Sequence, residues 1–117
     1  MKKRIFLTGI LGIALISAKA QQQSASQTDT LTIFRAKINQ LDKELIHLLG
    51  ERMSAARVIG VYKQAHKMEV LQSNRFNEVL QKAIASGKEE GLSEEFIKAL
   101  YEEIHKESIR QQEALKK

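Results

Sequence analysis

The chain lacks cysteine, proline and tryptophan among its 117 residues, and aromatic side chains make up only 5% of it. The lack of cysteine excludes disulfides, iron–sulfur clusters and thiolate catalysis. The lack of proline, the commonest helix breaker, favours long uninterrupted helices. The length is enough for one small domain.

The net charge of +5 comes mostly from the first twenty residues, which contain four basic side chains and no acidic one. The remainder has 15 basic and 14 acidic side chains, a net charge near +1. Domains that bind nucleic acid usually have a strong basic surface. We therefore expect no nucleic-acid partner.

The N-terminus has the pattern of a secretory signal peptide. Lys2-Lys3-Arg4 precede an apolar run from Ile5 to Ile16, and Ala18-Lys19-Ala20 form a small-x-small cleavage pattern. The alternative is a membrane anchor, but a span needs about 20 apolar residues. We expect residues 1–20 to be a signal peptide cleaved near Ala20, giving a periplasmic or secreted protein that is not bound to the membrane. Residues 21–30 are polar and are predicted to be a flexible leader.

From Leu31 onwards the pattern predicts a very long first helix. Apolar residues recur at alternating steps of three and four at Leu31, Phe34, Ile38, Leu41, Leu45 and Leu48. Such steps mark one face of an α-helix. The predicted helix runs to about Ala65, and Thr28, Asp29 or Thr30 could be its N-cap. A helix of this length, about 50 Å, is too long for a compact monomer, so we expect it to pack against another subunit.

Two shorter helices complete the predicted domain of residues 31–115. The second is predicted from Val70 to Ala85, with a stop at Ser86-Gly87. The third follows Ser93, a predicted N-cap, and runs to about Leu115. No segment has the alternation of a strand. We therefore predict an all-α fold of three helices, one of them very long, in an intertwined homodimer.

Polar side chains interrupt the apolar face of each helix. Arg52 continues the first stripe four residues after Leu48, and Lys63 lies within about 20° of Arg52 around the helix. The other intruding side chains are Gln72 and Arg75 in the second helix and Ser108 and Gln112 in the third. Long basic side chains at helix edges often extend to solvent, which is the alternative interpretation. A buried, unpaired cation is destabilising unless an anionic group lies beside it. The pattern therefore favours instead a small, doubly charged anionic ligand held between helices.

Arg35 requires a separate explanation. It lies about 25 Å from Arg52 along the same predicted helix and about 100° away around it. One small ligand cannot contact both residues of one straight helix. If Arg35 takes part, it should come from a neighbouring chain, which favours an interlocked dimer with composite sites.

Together these segments resemble the all-helical class of chorismate mutase, in its small dimeric form and here with an export signal. The resemblance covers Leu31 to about Leu115. The matching segments are Phe34-Arg35-Ala36-Lys37-Ile38 with Leu41-Asp42, Leu48-Leu49-Gly50-Glu51-Arg52, Gly60-Val61-Tyr62-Lys63, Asn74-Arg75 and Ser108-Ile109-Arg110-Gln111-Gln112.

The resemblance implies that the chain rearranges chorismate to prephenate by conformer selection and electrostatic stabilisation. Arg52, together with Arg35 across the dimer interface, would bind the two substrate carboxylates, with Arg75 as a further cation. Lys63 and Gln112 would hydrogen-bond the ether oxygen of the bond that breaks. Ser108 would contact a carboxylate or the ring. The implied catalytic residues are thus Lys63, Gln112 and Arg52.

One residue departs from the family pattern, because Phe76 stands where glutamate commonly binds the substrate hydroxyl. Gln72 stands where an acidic residue can occur. Gln72 and the backbone could together take over the contact with the substrate hydroxyl. An isochorismate-pyruvate lyase of the same fold is therefore an alternative function, and a non-enzymatic exported helical dimer is another. His47, His66 and His105 lack metal-ligand spacing. We interpret them as surface residues and expect no metal and no cofactor.

Overall fold

The computed structural model describes the backbone of residues 10–116 and the side chains of residues 29–116. It contains three helices, α1 (Ile10–Ala65), α2 (Ser73–Glu89) and α3 (Glu94–Ala114), and no strand between residues 10 and 116. The all-α prediction with one very long helix is confirmed. The chain divides into two units, residues 1–45 and 46–117. None of the described helices is sufficiently long and apolar to cross a membrane.

Helix α1 begins at Ile10, well before the start that the sequence predicts at Leu31. Thr28, Asp29 and Thr30 are therefore inside the helix rather than its N-cap, and the backbone of residues 21–30 is helical. From residue 13 to residue 49 the chain has neither glycine nor proline, so no residue there breaks a helix. The predicted signal peptide includes residues 1–9, which lie outside the described residues, and the signal and its cleavage near Ala20 stay predictions.

Within the first unit, the predicted apolar stripe of α1 is largely exposed. Leu31, Phe34, Ile38, Leu41 and Leu45 each have at least half of their surface exposed in the single chain. A row of large apolar side chains with this exposure is typical of an interaction surface.

Helix α1 ends at Ala65, as the sequence predicts, in a Schellman motif. Met68 N–H donates to Lys63 O at 2.8 Å, and Lys67 N–H donates to Gln64 O at 3.3 Å. Lys67 has a φ of 54°, in the left-handed region that glycine usually occupies at this position. This turn follows Ala65, two residues after Lys63, and leads the chain towards α2.

Helix α2 is displaced along the sequence from its predicted bounds. It begins at Ser73 rather than Val70, and Leu71, predicted as an apolar helix residue, is exposed. The helix continues through Gly87 and ends in a second Schellman motif, in which Gly91 has a φ of 76°. Leu92 N–H donates to Gly87 O at 2.8 Å, and Gly91 N–H donates to Lys88 O at 3.1 Å. The glycine that ends α2 is therefore Gly91, not the predicted Gly87.

Helix α3 begins as predicted, with Ser93 as its N-cap. The Ser93 hydroxyl accepts a hydrogen bond from Phe96 N–H at 3.2 Å, and the first turn is acidic, which suits the helix dipole. Helices α2 and α3 pack closely at Gly87, where an added Cβ would lie 2.6 Å from Ile97 Cγ1. The buried apolar residues of the second unit are Met53, Ala56, Leu80, Ala83, Ile97 and Ile104.

Candidate active site

The second unit contains a cavity of about 390 Å³ between α1, α2 and α3. A volume of this size suits a small organic ligand. Its polar lining is Arg52 and Lys63 from α1, Gln72 and Arg75 at the start of α2, and Tyr101, His105, Ser108 and Gln112 from α3. The apolar lining is Ala55, Ala56, Ile59, Val70, Phe76, Val79 and Ile109.

Lys63 and Gln112 form a hydrogen-bonded pair in this wall. Lys63 Nζ donates to Gln112 Oε1 at 3.2 Å and to Val70 O at 2.8 Å. Gln112 is buried, with 8% of its surface exposed. Because an ammonium group can only donate, the Gln112 carbonyl oxygen faces Lys63 and its amide N–H groups remain for another acceptor.

Arg52 is held by a hydroxyl rather than by a carboxylate. Its Nη1 donates to Ser108 Oγ at 3.2 Å, and Ser108 Oγ in turn donates to Met53 Sδ at 3.6 Å. Both Arg52 and Ser108 are half-buried. The contact fixes the guanidinium against α3 and leaves its other N–H donors for a ligand.

The start of α2 contributes two further polar groups with different surroundings. Gln72 is the N-cap residue of α2, is half-buried and makes no capping hydrogen bond with its side chain. Arg75 has a side chain 62% exposed, with Nη1 3.3 Å from Glu78 Oε2. An ion pair this exposed contributes little stability, so the Arg75 guanidinium can exchange Glu78 for another anion.

Positive charge dominates the cavity. The described lining residues include three cations, Arg52, Lys63 and Arg75. No described lining residue is aspartate or glutamate. Burial lowers the pKa of Lys63 from its ordinary value, because desolvation disfavours the charged amine. Desolvation is also the largest cause of the lowered pKa of His105, and the charges of Arg52 and Lys63 lower it further. The cavity therefore suits an anionic ligand.

Six of the seven residues that the sequence predicts as substrate contacts line this one cavity. They are Arg52, Lys63, Gln72, Arg75, Ser108 and Gln112. Arg75 differs from expectation, because it is mainly exposed rather than on a buried face. Arg35, the seventh, is an exposed residue of the first unit. The roles of all seven towards a substrate stay predictions.

Two residues of the lining are not anticipated by the sequence. His105, interpreted above as a surface residue, is half-buried in the cavity wall, and Tyr101 lies one helical turn before it. His105 precedes Ser108 by three residues, so its spacing places it on the same face of α3. That helical spacing was the signal that could have identified it.

The sequence that forms this cavity is similar to that of known proteins. The family described as "Chorismate mutase type II" matches residues 34–113. A bifunctional chorismate mutase/prephenate dehydratase of Buchnera aphidicola is 35% identical over 89 residues, covering 76% of this chain and 23% of the relative. The Escherichia coli K12 enzyme of the same name is 33% identical over 85 residues, covering 73% of the chain and 22% of the relative.

A third relative is similar to the chain over more of its own length. The 4-amino-4-deoxychorismate mutase of Streptomyces pristinaespiralis is 28% identical over 97 residues, covering 83% of this chain and 75% of the relative. The chain thus spans less than a quarter of the bifunctional relatives and three quarters of this one. The match of the family over residues 34–113 includes every polar residue of the cavity. The chain belongs to the type II chorismate mutase family.

Proposed function

We propose that the chain is a chorismate mutase that rearranges chorismate to prephenate. The observation that carries the proposal is the lining of the cavity, whose described residues include three cations and the Lys63–Gln112 pair but no carboxylate. Chorismate is a small dianion with an ether oxygen between its ring and its enolpyruvyl group. The cavity offers a complementary group for each of these parts.

The two carboxylates of chorismate provide the binding energy that selects its reactive shape. Arg52 recognises one carboxylate, since a guanidinium binds carboxylate oxygens in a planar, two-pronged geometry. Arg75 provides a further cation on α2. Holding the enolpyruvyl group over the ring is an orientation effect, and positioned intramolecular reactants gain about 7–11 kcal/mol from such effects.

Lys63 and Gln112 act on the ether oxygen, where negative charge develops as the C–O bond lengthens. The Lys63 ammonium supplies a charge, and the Gln112 amide N–H donates a neutral hydrogen bond. Their mutual hydrogen bond at 3.2 Å sets both groups in place before substrate binds. Such preorganised donors contribute more than flexible ones, because they need not reorganise during the reaction. The rearrangement needs no nucleophile and no proton transfer.

The test is a direct assay of prephenate formation from chorismate by the purified protein. We expect Lys63→Ala to lower kcat/KM by about 10²–10³-fold, the loss typical for one preorganised donor, with an unchanged helical circular dichroism spectrum. Arg52→Ala should cause a similar loss. The matched controls are Lys106→Ala and Arg110→Ala, which remove exposed cations of α3 that are paired with Glu103 and Glu107. Wild-type rates in Lys63→Ala or Arg52→Ala would refute the assignment.

The active form in this proposal is a homodimer in which each site receives Arg35 from the other copy. The support is the row of large apolar side chains on α1 around Arg35, from Leu31 to Leu45, which a single chain leaves at least half exposed. A second copy of the same helix would cover this row and bring Arg35 to the substrate as a second carboxylate ligand.

Mixed dimers test this arrangement. Arg35→Ala and Lys63→Ala should each be nearly inactive alone. When equal amounts are unfolded and refolded together, half of the dimers contain both variants, and one of the two sites in each is intact. The mixture should therefore recover about a quarter of wild-type activity, as expected for shared sites in a two-fold dimer. No recovery in a mixture that forms dimers would show that Arg35 acts in its own chain or not at all.

Two related activities are distinguished by substrate. Conversion of isochorismate to salicylate and pyruvate would instead indicate the lyase, and the relatives above are all named as mutases. The similarity to a 4-amino-4-deoxychorismate mutase raises that substrate as a second candidate. Its ammonium substituent would enter a cavity with three cations and no acidic group in its described lining, which disfavours it relative to the hydroxyl of chorismate.

We also propose that the protein is exported. The basic start at Lys2-Lys3-Arg4, the apolar run from Ile5 to Ile16 and the Ala18-Lys19-Ala20 pattern support a cleaved signal peptide. Sequencing the N-terminus of protein recovered from the exported fraction of producing cells should give a chain that begins at Gln21. An intact N-terminus in the cytoplasmic fraction would contradict export.

A further inference from the structure

The cavity contains an aromatic pair that joins α2 to α3. The rings of Phe76 and His105 are stacked, with centroids 4.1 Å apart and planes inclined by 25°. Both side chains are half-buried and both line the cavity. Phe76 stands where a hydrogen-bonding carboxylate is expected from the family pattern, and the imidazole stacked on it brings a polar side chain to that position.

The ring nitrogens of His105 have no hydrogen-bond partner among the described residues. The imidazole is stacked on Phe76 through its face, which leaves its edge, where both nitrogens lie, for other contacts. Charged groups line the same cavity from the facing elements, Arg52 and Lys63 on α1 and Arg75 on α2. Burial and the charges of Arg52 and Lys63 lower the pKa of His105, which favours the neutral form of the ring. A neutral imidazole has one donor and one acceptor.

We propose that His105 is a substrate-binding residue that recognises the ring hydroxyl of chorismate, with Phe76 fixing the plane of its imidazole. The inference rests on the proposed function and names a specificity-determining residue for it. A hydroxyl can both donate to and accept from the imidazole edge. An ammonium group at the same place would face three cations and, among the described lining residues, no carboxylate, so the pair selects hydroxyl-bearing substrates over amino-bearing ones.

The experiment compares chorismate with its analogue that lacks the ring hydroxyl, in wild-type protein and in His105→Leu. We expect His105→Leu to lower kcat/KM for chorismate about three- to tenfold, as for loss of one neutral hydrogen bond, and to leave kcat/KM for the deoxy analogue within twofold of wild type. His105→Gln, which restores a donor and an acceptor, should recover most of the loss. His47→Leu is the matched control, because His47 is an exposed histidine of α1 outside the cavity lining.

The outcomes separate this inference from the function on which it rests. An equal loss with both substrates in His105→Leu, or no loss with chorismate, would overturn the role of His105 while the mutase function stands. A wild-type protein that prefers 4-amino-4-deoxychorismate would overturn the selection of hydroxyl over ammonium. Inactive wild-type protein with all three substrates would overturn the proposed function itself. Should His105→Leu fail to fold, His105→Phe provides the same comparison, because it keeps a ring against Phe76 and removes both ring nitrogens.

Discussion

Replacing Gly60 with alanine should disturb the Lys63–Gln112 pair without unfolding the protein. Gly60 is buried in α1 against α3. A Cβ at this position would lie 2.8 Å from Gln112 Cγ, 3.2 Å from Gln112 Cβ and 3.0 Å from Leu115 Cδ1. The first two atoms are near the backbone of α3, so rotation of the amide end does not relieve the overlap. Either Gln112 changes its rotamer or α3 shifts away from α1.

Two opposing effects determine how much Gly60→Ala changes the free energy of unfolding. Alanine in place of glycine within a helix stabilises it by about 1 kcal/mol. Overpacking of a well-packed contact typically destabilises by about 1–3 kcal/mol. The net change in the free energy of unfolding should therefore be a loss of no more than about 2 kcal/mol. Catalysis is more sensitive, because a displacement of about 1 Å can reduce a rate by about 10²-fold.

The assay is kcat/KM for chorismate together with a urea unfolding curve. For Gly60→Ala we expect kcat/KM to fall by about 10- to 100-fold. The matched control is Gly50→Ala in the same helix, where an added Cβ meets no atom within 4 Å. That variant should keep full activity and gain about 1 kcal/mol of stability. Full activity in Gly60→Ala would show that Gln112 need not be held in its observed position.

Three other predictions concern pH and packing. Activity should fall at alkaline pH, because Lys63 then loses its proton. Burial lowers the pKa of Lys63, so a pH–rate profile should show the fall beginning below the ordinary lysine value of 10.5. Gln112→Glu should be nearly inactive at neutral pH and recover in acid, since only the protonated carboxyl can donate to the ether oxygen, whereas the wild-type amide should give a broad profile between pH 6 and 8. Gly87→Ala should lower the free energy of unfolding by about 1–3 kcal/mol in urea, because its Cβ would lie 2.6 Å from Ile97 Cγ1; an unchanged curve would contradict the close packing of α2 and α3.

The gathering of polar residues in one cavity could be predicted because helical periodicity is a local property. Once Leu48 and Arg52 are assigned to one stripe, the side of α1 that faces the cavity follows from 3.6 residues per turn. The same reasoning places Ser108 and Gln112 on the face that continues from Ile104. Each inference needs only the sequence within a few turns, so it does not depend on knowing the tertiary contacts.

The C-terminal boundary of α2 could not be predicted, because two glycines compete for the same role. Gly87 and Gly91 can each take the left-handed conformation that ends a helix. The choice depends on packing, since Gly87 stays helical where Ile97 of α3 lies against its backbone. The hydrogen bond of Leu92 to Gly87 then places Gly91 at the turn. Such long-range contacts are not readable from composition or spacing.

The stacking of His105 on Phe76 could not be predicted for the same reason. The sequence around His105 has neither metal-ligand spacing nor the pattern of a catalytic triad. Its helical spacing places it on the face that carries Ser108, but its stacking on Phe76 depends on how α2 crosses α3. A departure from a family pattern, as at Phe76, is better interpreted together with the residues that contact it than alone.

Lys63 and Arg52, the two half-buried cations of the site, are hydrogen-bonded to neutral groups, and this favours the binding of an anion. The partners of Lys63 are a backbone carbonyl and an amide, and the partner of Arg52 is a hydroxyl. A carboxylate in any of these places would have to be displaced by the substrate, and its separation from the cation would oppose binding. Neutral dipoles instead hold the cations in position and leave their charge uncompensated. Among the described residues, Arg75 is the one cation of the cavity with an acidic partner, and that pair is exposed and weak. If the proposed function holds, this uncompensated positive charge is available to the chorismate dianion, and it would let so small a helical unit bind and orient the substrate.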